Sequence, residues 1–201
     1  MKEIVKPLMQ WYAKHARTLP WRSDPTPYHV WLSEIMLQQT RVEAVIGYYD
    51  RFLEELPDVQ SLAAVSEERL LKLWEGLGYY NRARNLQKAA VQICEQYQGK
   101  FPESYEEWLA LPGIGAYTAG AVTSIAFGKK EAAVDGNVYR IYTRLYADDT
   151  EISKTAFQRN VRETVKEALP EEAGRFNQAI MDLGALICIP NGDRKSTRLN
   201  S

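Results

Sequence analysis

Two carboxylates, Glu34 and Asp135, stand in surroundings that suit proton and charge chemistry. In the helical stretch His29 to Gln38 the i−4, i−3 and i+3 neighbours of Glu34 are Val30, Trp31 and Leu37, and no Lys or Arg lies at i±3 or i±4. A glutamate on an apolar face with no local cation is a candidate for burial. Burial lifts a carboxyl from about 4.3 toward neutrality, where it serves as a general acid. Asp135 opens the segment Val134-Asp135-Gly136-Asn137-Val138 ahead of an apolar helical run. Taken alone it is a helix N-cap. The two roles can coexist, because a carboxylate held ionised by backbone N–H groups can also stabilise a nearby cation.

Two further segments suit contact with phosphate. Leu111-Pro112-Gly113-Ile114-Gly115 lies between a helix capped by Ser104 and the small-residue helix Ala116 to Phe127. Its glycines, free of Cβ, permit a tight turn that brings backbone N–H groups and a helix N-terminus to one DNA phosphate without reading sequence. The plain alternative is a Gly-rich helix connection. Tyr79-Tyr80-Asn81-Arg82-Ala83-Arg84 interleaves aromatic and basic side chains, as stacking on bases beside phosphates requires, and equally as a solvated helix start would.

Helices must position these groups. Apolar spacing near 3.6 recurs along the chain, and no run alternates cleanly between turn signals as a half-buried strand would. The fold class is therefore all-α, with about ten helices near 4–16, 27–38, 41–55, 66–75, 81–98, 104–111, 116–127, 136–147, 155–169 and 174–188. Thr26 before Pro27 and Ser66 before Glu67-Glu68 mark helix starts, while Ser104 with Glu107 and Thr155 with Gln158 read as capping boxes. Gly76, Gly78, Gly99, Gly113 and Gly128 mark stops. No linker divides the chain, although two helical subdomains could meet across a cleft.

Composition bounds the rest. The 201 residues are 45% hydrophobic and 11% aromatic, ample for a packed core, which excludes disorder and collagen-like repeats. With 25 Lys+Arg against 26 Asp+Glu, the net charge of −1 gives no global sign of a nucleic-acid or membrane partner. Locally the charge separates, since residues 1–22 carry Lys2, Lys6, Lys14, Arg17 and Arg22 against Glu3, and residues 43–68 carry seven acids against Arg51. Cys94 and Cys188 cannot make a disulfide framework, and the N-terminus lacks the apolar core of a signal peptide. Ala119 to Phe127 is far shorter than a membrane helix. These features point to a soluble protein of a reducing compartment with no membrane partner.

The segments PWRSDPTPYHVWLSEIMLQQT, WEGLGYYNRARNL, LPGIG and VDGNV, in this order, resemble those of the adenine DNA glycosylases of the MutY family, within the helix-hairpin-helix, endonuclease III-like superfamily. The resemblance covers residues 5 to 190 and implies a two-lobed helical fold with the active site in the cleft between lobes. A catalytic domain over 1–190 is expected, with a central six-helix lobe over about 25–134 and a second lobe built from the N-terminal helix plus about 135–190. The implied activity is hydrolysis of the N-glycosidic bond of adenine mispaired with 8-oxoguanine or guanine, in base excision repair. Glu34 would protonate the flipped adenine and Asp135 would stabilise the sugar cation, with Tyr117 and Asn137 orienting both carboxylates. Trp21 and Arg22 would border the base pocket. Gln39 and Tyr79 match the wedge positions, Leu37, Thr40 and Leu77 the contacts with the opposite strand, and Gly113 and Gly115 the hairpin on phosphate. In members of the superfamily that also cut the strand, a lysine two residues after the second hairpin glycine forms a Schiff base. Tyr117 occupies that position here, so water is the expected nucleophile and a monofunctional enzyme is implied.

The family also holds a 4Fe-4S cluster on C-x6-C-x2-C-x5-C. Cys188 matches the first ligand only, Cys94 reads as a core residue, and one thiolate cannot hold a cubane, so the cluster is expected to be absent from this chain. The chain then reads as a catalytic domain truncated at the cluster loop. Residues 191–201, with Leu199 as their one large apolar side chain, are expected to be a disordered tail, genuine or a cloning scar. The implied partner is double-stranded DNA bearing the mispair, the implied state a monomer, and the implied location the bacterial cytoplasm. Two rivals remain open, a catalytically weak DNA-binding fragment and a pyrimidine-lesion glycosylase/lyase of the same fold.

Overall fold

The computed structural model describes residues 1–190, so the expected tail lies outside the described residues. Twelve α-helices and no strands occur among them: α1 (Lys2–His15), α2 (Pro20–Ser23), α3 (Pro27–Leu37), α4 (Val42–Glu55), α5 (Val59–Ala64), α6 (Glu67–Leu73), α7 (Asn81–Tyr97), α8 (Tyr105–Leu109), α9 (Ala116–Phe127), α10 (Gly136–Tyr146), α11 (Thr155–Ala168) and α12 (Ala173–Leu186). The ten expected helices are all present, with ends shifted by one or two residues.

The two additional helices are too short to show a period. Helix α5 has six residues, and its capping box pairs Asp58 with Ser61 rather than with a Glu or Gln. Helix α2 is a single turn started by Pro20, after a Leu19 whose side chain offers no cap. Elsewhere the caps act as their residue types dictate. Thr26 accepts from the His29 amide, Ser66 from that of Arg69, Ser104 from that of Glu107 and Asp135 from that of Val138. The expected Thr155–Gln158 box does not form. Thr155 is already helical behind the N-cap Lys154, and the Gln158 side chain donates through Nε2 to the Ile152 carbonyl instead.

Two main apolar clusters organise the helices, beside a minor one of Ala121, Ala133 and Met181. The larger is built around Trp31, Trp74, Trp108 and Phe52, all fully buried, and draws on residues from Leu19 to Val122. In the smaller, Leu8 and Tyr12 of α1 join Val138, Ile141, Phe157, Val161, Phe176 and Ile180 from the C-terminal helices. The chain start thus returns to pack on α12. Helix α9 lies between the clusters and packs on both α3 and α12. Small side chains make this possible. A Cβ on Gly120 would stand 2.2 Å from the Ala132 carbonyl oxygen, and one on Gly174 would stand 2.4 Å from that of Ser124. Asn177, fully buried, ties the junction by donating to Ser124 Oγ and to the Glu131 carbonyl, both at 2.8 Å.

Candidate active site

Glu34 is positioned by α3, which is almost wholly buried: every residue from Val30 to Met36 is below a tenth exposed, and Glu34 itself is 7% exposed. Its Oε2 accepts a hydrogen bond at 2.6 Å from the Tyr117 hydroxyl, which comes from the second residue of α9. Burial, helped by nearby Asp135, pushes the Glu34 carboxyl up to about 7, against the Tyr117 hydrogen bond and the Arg22 guanidinium, which favour the charged form. The proton is therefore held near neutral pH. Burial, together with Glu34 and Asp135, raises the Tyr117 phenol well above its ordinary value, so it remains a donor.

Asp135 reaches the same place as the cap of α10. Oδ1 accepts from the Val138 amide at 2.9 Å, and Oδ2 accepts from Asn137 Nδ2 at 2.7 Å. Asn137 is fixed in turn, because its Oδ1 accepts from Arg140, whose guanidinium also donates to the carbonyls of Gly184 and Cys188. Gly184 leaves room for this amide: a Cβ there would stand 2.5 Å from Asn137 Cβ.

These groups line a cleft of about 1220 Å³, which also takes in Trp21, Arg22, Leu37, Gln39, Thr40 and Tyr79. Of the residues singled out from sequence, Leu77, Gly113 and Gly115 do not line it. Leu77 is 6% exposed and packs in the larger core. Gly113, at φ +75°, packs against Asn85 at the turn between α8 and α9, and Gly115 is the N-cap of α9. The turn lies at the foot of the helix that supplies Tyr117, outside the cleft.

Sequence reasoning missed Asp182. This fully buried carboxylate on α12 accepts from Arg22 at 2.8 and 2.9 Å and from the backbone and side chain of Arg17 at 3.1 and 2.7 Å. Burial works to raise its carboxyl, but the two arginines overcome this and hold it below the ordinary range. Arg22 is thus committed to a structural pair beside the cleft. The criterion that singled out Glu34 applies equally to Asp182, whose i±3 and i±4 neighbours are Gln178, Ala179, Ala185 and Leu186.

The residues present do not fit an iron–sulfur cubane. The Cys188 sulfur accepts from Arg144 at 2.9 Å, while Cys94, from α7, packs against the larger core near the Val59 carbonyl. Among the described residues no group of three His, Cys, Asp or Glu converges as a metal site. No described helix is long and apolar enough to cross a membrane.

Residues 32–167 match the family model described as "HhH-GPD superfamily base excision DNA repair protein". The adenine DNA glycosylase of Buchnera aphidicola subsp. Baizongia pistaciae is 40% identical over 189 residues, 93% of this chain and 53% of that protein. That of Homo sapiens is 42% identical over 193 residues, 91% of this chain and 35% of that protein. The chain thus spans about half, or less, of the length of these relatives. A solved structure, a thermostable thymine-DNA glycosylase, superposes with a TM-score of 0.88 at 28% identity, covering 97% of this chain and 90% of that one. With its family model matched over most of its length, the chain belongs to the HhH-GPD superfamily of base excision DNA repair proteins.

Proposed function

We propose that the chain is the catalytic domain of a monofunctional adenine DNA glycosylase, hydrolysing the N-glycosidic bond of adenine opposite 8-oxoguanine or guanine in double-stranded DNA. The observation that carries this reading is the buried Glu34 carboxyl, held by the Tyr117 hydroxyl and sharing one cleft with the helix cap Asp135. The similarity to adenine glycosylases supports the choice of base.

Glu34 is the general acid. As the C1′–N9 bond breaks, its electron pair moves onto the base, and the Glu34 proton passes to an adenine ring nitrogen so that the base leaves neutral. Asp135 stabilises the sugar cation, and water adds its hydroxyl to C1′ while its other proton passes to the Glu34 carboxylate, which restores the acid. Tyr117 and Asn137 orient the two carboxylates through the bonds described above. Tyr117 has no amine with which to form an imine, so strand cleavage does not accompany base release. The Gly113–Gly115 turn binds backbone phosphate, and the duplex is held by one copy of the chain.

A second substrate is favoured by one observation, the solved relative named a thymine-DNA glycosylase. Single-turnover excision separates the two readings. The duplexes carry adenine opposite 8-oxoguanine, guanine or thymine, and thymine opposite guanine, with alkali added after the reaction. Adenine release from the mispairs, lost in Glu34→Gln, with strand scission only after alkali, is the expected result. Release of thymine alone, or scission without alkali, overturns the proposal.

A further inference from the structure

Arg82 is the second residue of α7, and its guanidinium turns back toward the end of α3. One terminal nitrogen donates to the carbonyls of Ile35 and Met36, both at 2.9 Å, and to that of Gln38. The other donates to the carbonyls of Leu77 and Gly78, at 3.0 and 3.2 Å, and to Thr40 Oγ1 at 3.2 Å. Among the described residues Arg82 has no carboxylate partner. By contrast Arg84, two residues on, forms an ordinary surface pair with Glu67.

The backbone segments joined in this way are the end of α3, which carries Glu34, and two short loops at the cleft. Each loop bears a non-glycine residue in the left-handed region, Gln39 at φ +57° and Tyr79 at φ +47°. That conformation costs on the order of 1–3 kcal/mol and persists only where the surroundings over-determine it. Both side chains line the cleft and both are exposed, Tyr79 at 63%. The Arg82 guanidinium lies 5.7 Å from the centre of the Tyr79 ring. One planar cation, through its two terminal nitrogens, therefore fixes both loops relative to the helix of the acid.

We propose that Arg82 is a positioning residue that locks residues 38–40 and 77–79 into one rigid pair, which fills the space vacated when a paired base is drawn into the cleft. The inference rests on the glycosylase reading and extends it to the extrusion step. Extrusion from a duplex costs a few kcal/mol, least for a base without a partner. Loose loop tips repay less of that cost, because they must be ordered as they enter the stack. Lysine keeps the charge of Arg82 but is a point donor that cannot span both loops.

The test compares wild type, Arg82→Lys and Thr40→Val on two duplexes, one with adenine in a mispair and one with the same adenine unpaired in a bulge. A 2-aminopurine beside the target reports extrusion. Arg82→Lys is expected to lower the extrusion signal and single-turnover rate on the mispair by about 10- to 100-fold, and to change the bulge rate by less than about threefold. Thr40→Val, which removes one Arg82 bond together with the 3.3 Å bond from Thr40 Oγ1 to the Gln38 carbonyl of the same loop, is expected to act in the same direction by about two- to fivefold. Equal losses on both duplexes, or none on either, overturn the proposal. If Arg82→Lys fails to fold, Thr40→Val decides, and unchanged discrimination there makes Arg82 a fold anchor only. A wild type that excises from neither duplex sinks the glycosylase reading, while the extrusion signal still tests the role of Arg82.

Discussion

The Tyr117 hydroxyl and the Glu34 carboxylate, 83 residues apart, meet at 2.6 Å where α9 crosses α3. The contact forms on the second residue of a helix whose N-cap is the last glycine of a tight turn. The turn therefore sets the register of the phenol against the acid. A partner binding the turn from outside would bear on the helix that carries Tyr117.

The raised Glu34 carboxyl sets the sign of two pH effects. Its folded-state value, about 7, exceeds that of the unfolded chain, so its contribution to stability is full below about 4.5 and is lost as pH rises through about 7. Glu34→Gln is neutral at all pH values. It should melt higher than wild type at pH 8 by an amount worth about 3 kcal/mol, with the gap closing toward pH 4.5. Thermal melts across that range check this, and a gap of the same size at both ends contradicts the assignment.

For activity the same proton predicts a falling limb. Single-turnover adenine release should decline as pH rises through about 7, because the acid is lost. In Tyr117→Phe a bond that favours the charged form disappears, so the limb should move to higher pH while the plateau rate drops about tenfold from lost orientation. A pH–rate profile of both proteins reads the two effects separately.

Asp182 holds Arg17 and Arg22 from a site with no solvent exposure. Asp182→Asn leaves two guanidinium groups without their counter-charge and should cost about 3–5 kcal/mol in denaturant melts at neutral pH. Because the carboxyl lies below its ordinary value, the contribution is present above the unfolded value and is lost as pH falls through the folded one. The difference between wild type and variant should accordingly shrink in acid, as it does for Glu34→Gln, but here the variant is the less stable protein.

Three helical glycines should respond differently to alanine. At Gly184 the new Cβ would stand 2.5 Å from Asn137 Cβ, an atom that moves only with the first turn of α10, so alanine there should lower the melting temperature while the chain still folds. Adenine release should also fall about tenfold, since Asn137 no longer holds Asp135. At Gly120 and Gly174 the new Cβ would meet backbone carbonyls, and both variants should lose about 2 kcal/mol or more of stability. Melting curves beside single-turnover rates separate the two classes.

The sequence by itself determined what is local. Helix starts at Thr26, Ser66, Ser104 and Asp135 are legible because a cap bonds an amide three residues on, and the period of α3 marks Glu34 because its neighbours all lie within one turn. Helices α2 and α5 escaped because one or two turns show no period, and the Thr155–Gln158 box failed because a cap residue can equally be the first helical one. Tertiary structure alone decided the pairings that complete the site. Tyr117 with Glu34, Arg22 with Asp182 across 160 residues, and Arg82 with the carbonyls of two loops depend on how helices cross, which is set by side-chain packing summed over whole clusters. No spacing within one helix encodes which distant cation a lone buried carboxylate will meet. The pattern of Asp182 shows only that it needs one.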